Sequence, residues 1–600
     1  AVIGRDFDLD LLARATNTSE DDLLDILDAA TAAALVRELA DTPGRYNFAH
    51  ALIQHTLYED LGPTRRARAH RHVGEALEAL CGDWPGARVG ELARHWTSAT
   101  QPTEASKAIA YSRQAGDAAL AALAPADALG YYAQALDLYP HATDPDPVLA
   151  LDLAIGLGTA QRLTGDPTFR DTLLDAAHRA AALDDTERLV AAALANNRGQ
   201  VSNVGVLDTE KVEVLELALD RLAGDHVDRA LLLAALCSEL GYVGTLERRQ
   251  ALADEAIAIA EASGDDATIV RVLNLVALPL HVPALVEQSL ARTADAVRRA
   301  ERVGDPVLLF WAANWRALSA THIGDVDEMD RCLAIVGSLA EQLAQPNLLW
   351  WHAVQRATRA TIDADTDTLE QLANDALQIG VDSGQPDAFT NFGNPFFHVN
   401  WQRGTLDTII PVLEAMLADA PDVGGLISGG LAIAHAETGN LADARRLLDQ
   451  VAATNFDLPM NDVWASTMTA YAIVAGECRD VASAANLFDL LAPWSDQQVN
   501  APSAVTSPVN FSLGVLAAVL GRYDDADAYC AHASAGAYRI GQHFHAAAVD
   551  RWWGQMLAER NAPDDFDRAR DLLTRAQTVA AANGYAYIER RATEALQRLR

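Results

Sequence analysis

Apolar positions recur every three to four residues through most of the chain, and polar positions fill the intervals. In ALADEAIAIAEAS (251–263) and LARTADAVRRAERV (290–303), Ala and Leu line one helical face while Glu, Asp and Arg occupy the other. That is the period of an amphipathic α-helix. The helices are interrupted at a fixed interval. Asp144-Pro145, Asp184-Asp185, Gly224-Asp225, Gly264-Asp265, Gly304-Asp305, Ala344-Gln345-Pro346 and Gly384-Gln385-Pro386 stand 40 residues apart. Pro125, Gly165, Gly205, Gly244, Gly324 and Gly404 fall midway, and Pro283 and the polar run Asp363-Ala364-Asp365 fill the two remaining slots. Two breaks per repeat leave two helices of about 15–18 residues, a helical hairpin. One hairpin cannot bury its apolar face alone, so neighbours must stack to make the core. Beyond residue 404 the spacing loosens, with breaks at Gly439, Gly476, Gly521 and near Ala562-Pro563. The pattern predicts an all-α, right-handed helical-hairpin solenoid over 105–600, with about twelve hairpins of about 40 residues.

Residues 1–61 follow another plan. The stretch AVIGRDFDLDLLARAT reads as helical from the outset; Thr18-Ser19 then caps a second helix, SEDDLLDILDAATAAAL, whose first turn is acidic as the helix dipole favours. VREL, ADTPG and RYNFA read as two strands around a Pro-Gly turn, and HALIQHTLYEDL as a third helix. Helix, helix, hairpin, helix predicts a small winged-helix domain over 1–61, followed by connecting helices over 62–104. Residues 1–41 carry ten acidic residues against three arginines, the reverse of a DNA-reading surface.

Composition narrows the function. Of 600 residues half are hydrophobic, which excludes a disordered chain. A net charge of −37 repels phosphate backbones and anionic lipid, so neither nucleic acid nor a membrane is an expected partner. No apolar run reaches the roughly 18 residues of a membrane helix, and no signal peptide opens the chain. Cys81, Cys237, Cys332, Cys478 and Cys530 show no metal-ligand spacing and read as buried thiols of a reducing compartment, which predicts a cytoplasmic location. There is no GxxxxGK[ST], HExxH or GxSxG motif, so no catalytic residue, metal site or P-loop nucleotide site is expected in these residues. Beginning in a helix without Met, the chain reads as part of a longer protein.

Two resemblances sharpen this. Ala128, Tyr132, Ala135 and Pro140 in PADALGYYAQALDLYP, with Gly116 before them, resemble the tetratricopeptide pattern, and Gly439 to Ala444 and Gly521 to Ala526 repeat its Gly-to-Ala step. The N-terminal run, with Phe48-x-His50-x-Leu52 and Leu57-Tyr58 followed by PTRRARAHRHVGEALEAL, resembles the region behind the ATPase core of MalT-like STAND regulators. That resemblance covers residues 1–96 and extends to the repeats only in architecture. It implies a winged helix, a tetratricopeptide-like sensor array and a nucleotide-binding domain upstream. ATP or ADP would be bound by the full-length protein and no cofactor by these residues. The partners implied are the upstream domain and a small-molecule or protein inducer, in transcriptional or cyclic-nucleotide signalling. The rival readings are a pure protein–protein scaffold and the non-catalytic region of a nucleotide cyclase or kinase polypeptide.

Three groups of residues are candidates for function. In the resembled family a winged-helix histidine touches the phosphates of ADP, which points to His50; capping or packing the wing is its alternative role. Arg65, Arg66, Arg68 and Arg71, with His70 and His72, form a basic cluster suited to intramolecular docking or simply to a solvated helix face. Trp311, Trp315, Trp351, Asn391, Phe392, Asn394, Phe396 and Trp401 belong to an aromatic and amide belt holding five of the eleven tryptophans. Trp311 and Trp351 are one repeat apart, so they should project side by side, either lining a ligand or partner groove or filling the core between repeats.

Overall fold

Helix dominates, as the periodicity requires. In the computed structural model the described residues are 76% helical, in 30 α-helices, and strand is confined to two small antiparallel sheets. The structure describes all residues except 83, 100–104, 223, 225, 364, 420–423, 502 and 600. The predicted breaks at Asp225 and Ala364 and the expected domain boundary after residue 104 therefore lie outside the described residues. No described helix is long and apolar enough to cross a membrane. The chain divides into two compact units, Ala1–Asn196 and Asn197–Arg600; the division falls within the repeats.

The first unit opens with the expected helix, helix, hairpin, helix order: Leu9–Thr16, Glu20–Ala32, strands Val36–Glu38 and Arg45–Phe48, then Ala51–Glu59. One element differs from the sequence reading. Asp6–Asp8, taken as the lead-in to a helix, is a third strand, pairing antiparallel with Arg45–Phe48 so that Phe7 faces Tyr46. The cause is local: Phe7 alternates inward between two aspartates, and the Asp8 carboxylate accepts from Leu11 N at 2.7 Å, which starts the helix after it and not before. Phe7, Leu27, Val36, Tyr46 and Phe48 make the small core. Helices Pro63–Cys81 and Val89–Ala99 follow, joined by Leu77, Leu92 and Trp96.

Helices Ala105–Ala121 and Pro125–Leu138 form the first tetratricopeptide-like hairpin. Tyr132 projects from the second helix onto Gly116 of the first and Gly156 of the next hairpin; a Cβ at either glycine would overlap its ring. Ala128 and Ala135, fully buried on the same helix, allow this close approach. The small residues of the motif are thus the receptors for one large aromatic.

In the second unit the 40-residue punctuation becomes helix ends. Gly264, Gly304 and Gly404 each terminate a helix in the left-handed conformation, with φ of 70°, 75° and 74°. At the equivalent stop the helix Val326–Leu343 ends on Ala344, held at φ 50°. An L-residue there costs about 1–2 kcal/mol. Ala344→Gly should accordingly stabilise the protein by roughly 0.5–1 kcal/mol, after allowing for the extra entropy of glycine in the unfolded chain. Denaturant unfolding checks this, and an unchanged or lowered midpoint would contradict it.

Candidate functional site

The aromatic belt sits on the first helices of successive hairpins, Pro306–Thr321, Pro346–Asp363 and Ala388–Arg403. Repeat spacing brings the tryptophans together as expected, with the Trp311 and Trp351 rings 6.3 Å apart and Trp315 at 5.7 Å and 6.1 Å from them. An open groove is not what they line. Trp311 is 6% exposed, Trp315 2%, Trp351 1% and Trp401 8%; Asn391 is buried too, while Phe392, Asn394 and Phe396 are half-buried. Two segments of the same unit cover them. Residues 197–201 cross the belt with Gly199, at φ 94°, pressed on the Trp311 indole and Val201 beside it. Arg198 anchors this crossing through a buried ion pair to Asp387 at 2.7 Å, and Asn347 donates to its carbonyl.

The second covering segment is a β-hairpin, Gln498–Ala501 paired with Ala504–Pro508. Gln498 N donates to the His322 carbonyl at 2.8 Å, and Gln497 to that of Pro283. Asn500 bonds His281, the Leu318 carbonyl and Thr321. Val505 N donates to Thr361 Oγ1 at 2.9 Å, Asn394 to Ser503 Oγ at 3.0 Å, and Gln542 to the Thr506 carbonyl. Val505 itself joins the tryptophan cluster. Further along, the inner helix faces meet one another: Pro346–Asp363 packs on His543–Arg560, and Ala388–Arg403 on Ala586–Arg598. Trp401 lies 5.4 Å from Phe544 in this contact. The inner surface is therefore the core of the unit.

Sequence reasoning missed the hairpin. Its signal was the interval from Gly476 to Gly521, longer than a repeat, with Val499 and Val505 on either side of a Pro-Ser pair in the sequence. No residue spacing announces which helix faces it will meet.

In the first unit His50 is exposed at the N-cap of helix Ala51–Glu59 and makes no side-chain capping bond. This helix buries none of its residues and presents Leu52, 72% exposed, and Leu57, 45% exposed. The arginines divide. Arg65 and Arg68 are exposed; Arg71 is half-buried; Arg66 stacks 4.5 Å over the Tyr58 ring and pairs with Glu59 at 3.3 Å. Behind this surface runs a chain the sequence did not reveal. Tyr58 Oη meets His70 Nε2 at 3.0 Å, His70 Nδ1 meets His95 Nδ1 at 2.9 Å, and Arg94 lies 3.1 Å from His95 Nε2 while donating to the Ile3 carbonyl. It ties helix Ala51–Glu59 to the two connecting helices. Burial, reinforced by Arg94, lowers His70 from 6.5 to about 4 and His95 to about 3, so both are neutral at pH 7.

No protein-family profile matches the chain, and no curated protein matches it. Several solved structures are similar. The APC/C hetero-tetramer Cut9-Hcn1 aligns with 98% of this chain and 98% of its own, at 14% identity and a TM-score of 0.44. A signal transduction ATPase with numerous domains (STAND) bearing a tetratricopeptide repeat sensor, from Pyrococcus horikoshii, aligns with 82% of this chain and 61% of its own, at 10% identity and a TM-score of 0.28. Yeast Tom70 aligns with 82% of this chain and 96% of its own, at 13% identity and a TM-score of 0.27.

Two predictions follow from the geometry. Trp351→Ala should cost about 3–5 kcal/mol of stability, the penalty for emptying a packed aromatic site. A loss under about 1 kcal/mol in denaturant unfolding would place Trp351 at a surface. The histidine chain sets an acid limit. Unfolded histidines take up protons near 6.5 and these folded ones only near 4 and 3, so their contribution is intact above pH 6.5 and is lost as pH falls below it. The unfolding midpoint of the first unit should fall between pH 6.5 and 4, and less steeply in His95→Gln; identical slopes would refute the assignment.

Proposed function

We propose that this chain is the sensor and regulatory region of a STAND-class ATPase signal transducer. Residues 1–61 act as its winged helix and dock on a nucleotide-binding domain upstream. The repeats bind an inducer or protein partner and pass that state to the nucleotide. The observation that carries the reading is the surface around His50. Leu52, 72% exposed, lies in the first turn after the His50 imidazole at a helix N-terminus; Leu57, 45% exposed, stands near the other end of that helix, and the exposed Arg65 and Arg68 are on the next one. Exposed leucines grouped with donors and positive charge suit a protein surface that carries a phosphate. The chemistry belongs to the bound nucleotide and its own domain; this chain contributes a donor at His50 Nδ1 or Nε2 and the apolar contact that holds it in place.

The test uses the full-length protein. His50→Ala should weaken ADP retention about tenfold and raise basal output. Leu52→Asp should do the same by breaking the docking contact. Both side chains are exposed, so each variant should keep its stability to within about 0.5 kcal/mol. ADP retention equal to wild type in both variants, with wild-type unfolding, would leave the repeats as a scaffold without a nucleotide switch.

A further inference from the structure

Helices Gly424–Glu437, Trp464–Glu477, His543–Arg560 and Ala586–Arg598 bring together a group of charged side chains that nothing above uses. Arg551 is 3% exposed and forms no ion pair among the described residues; its Nη1 donates to Gln555 at 2.9 Å, and its Nε has no acceptor. Its guanidinium lies 5.7 Å over the Tyr587 ring, and Tyr587, 2% exposed, has an unpartnered Oη. Arg591 is held only loosely to Glu477, at 3.9 Å, and its Nε is unpartnered as well. Glu437 completes the group with one carboxyl oxygen that no donor reaches.

These are the marks of a site lacking an anion. Arg551 feels Glu437 and Glu477 only at a distance and bonds neither, and each orphaned N–H or O–H carries its own desolvation penalty. Three donors, Arg551 Nε, Arg591 Nε and Tyr587 Oη, have no acceptor in the protein. Burial pushes the Glu437 carboxyl up to about 7, opposed chiefly by the attraction of Arg551, and Glu477 is the second carboxylate of the group, beside Arg591. Glu437, Glu477, Gln555 and Arg591 are only half-buried, so the group reaches the surface.

We propose that this group binds the carboxylate of a small organic acid, with Arg551 and Arg591 supplying charge-assisted N–H donors and Tyr587 an O–H donor. A carboxylate presents enough lone pairs for all three. The site gives the repeats a ligand class without depending on the nucleotide switch, since binding is read on this chain alone and a failure of either proposal is seen separately.

The experiment is thermal unfolding of the 600-residue chain with acetate, lactate, succinate and glutamate at up to about 10 mM, against the corresponding amides and against chloride at equal ionic strength. At least one carboxylate should raise the midpoint saturably, while its amide and chloride do not. Arg551→Met keeps the buried stem and removes the donors and the charge, so it should fold and lose the shift. Tyr587→Phe, a milder change that keeps the ring, should weaken binding about tenfold. No shift with any of the four acids beyond that of chloride would overturn the proposal. So would a shift of wild-type size in both variants, or one reproduced by the amides.

Discussion

The second unit depends on one requirement: the inner faces of its first helices are too apolar to face water. Trp311, Trp315, Trp350 and Trp351 come from two helices one repeat apart, and burying four indoles takes more than the neighbouring hairpin offers. The unit meets the requirement with its own chain. Helices some 200 residues apart in sequence pack inner face to inner face, and residues 197–201 and the hairpin at 498–508 close what is left. Once this happens, the helix ends, the buried ion pairs and the polar contacts all have to fit that arrangement.

The polar contacts show how the fit is made. A β-hairpin laid across helix faces brings peptide groups into a dry interior, and each must find a partner. Thr361, Gln542 and the His322 carbonyl partner peptide groups of the hairpin, while His281 and Asn394 bond the side chains of its Asn500 and Ser503. Arg198 with Asp387, and Lys211 with Glu239 at 2.8 Å, fasten the other covering segment. Such buried pairs add little net stability compared with apolar residues, but breaking one partner is costly, so they fix which segment lies where.

The repeat was legible because each stop is chemically marked. Gly264, Gly304 and Gly404 end helices at positive φ; Asp265 and Asp305 start the helices after the first two by accepting from backbone N–H groups, and Asp365 does the same for Thr366–Asp382. The small hairpin at Val36–Phe48 was legible for the same reason, through its Pro-Gly turn. Tertiary placement was not. Trp311 and Trp351 were paired correctly by spacing, yet spacing does not say whether a shared face meets solvent or the far end of the same unit. The Tyr58–His70–His95 chain and the Arg551 group were invisible for that reason too: their members lie on separate helices and form no motif in the sequence. His50 is the converse case, a residue singled out by resemblance that the fold leaves at the surface beside exposed leucines.

The central claim is that the inner surface of the second unit is a filled core closed by the hairpin at 498–508. Native-state hydrogen exchange of this segment tests it directly. The amides of Gln498, Val499 and Val505 should be among the slowest in the protein, opening only with global unfolding of the unit, because each lies under packed helices and Gln498 and Val505 donate to them. Exchange at the rate of an exposed surface turn, with the flanking helices still protected, would contradict it and mean that the inner surface stands open.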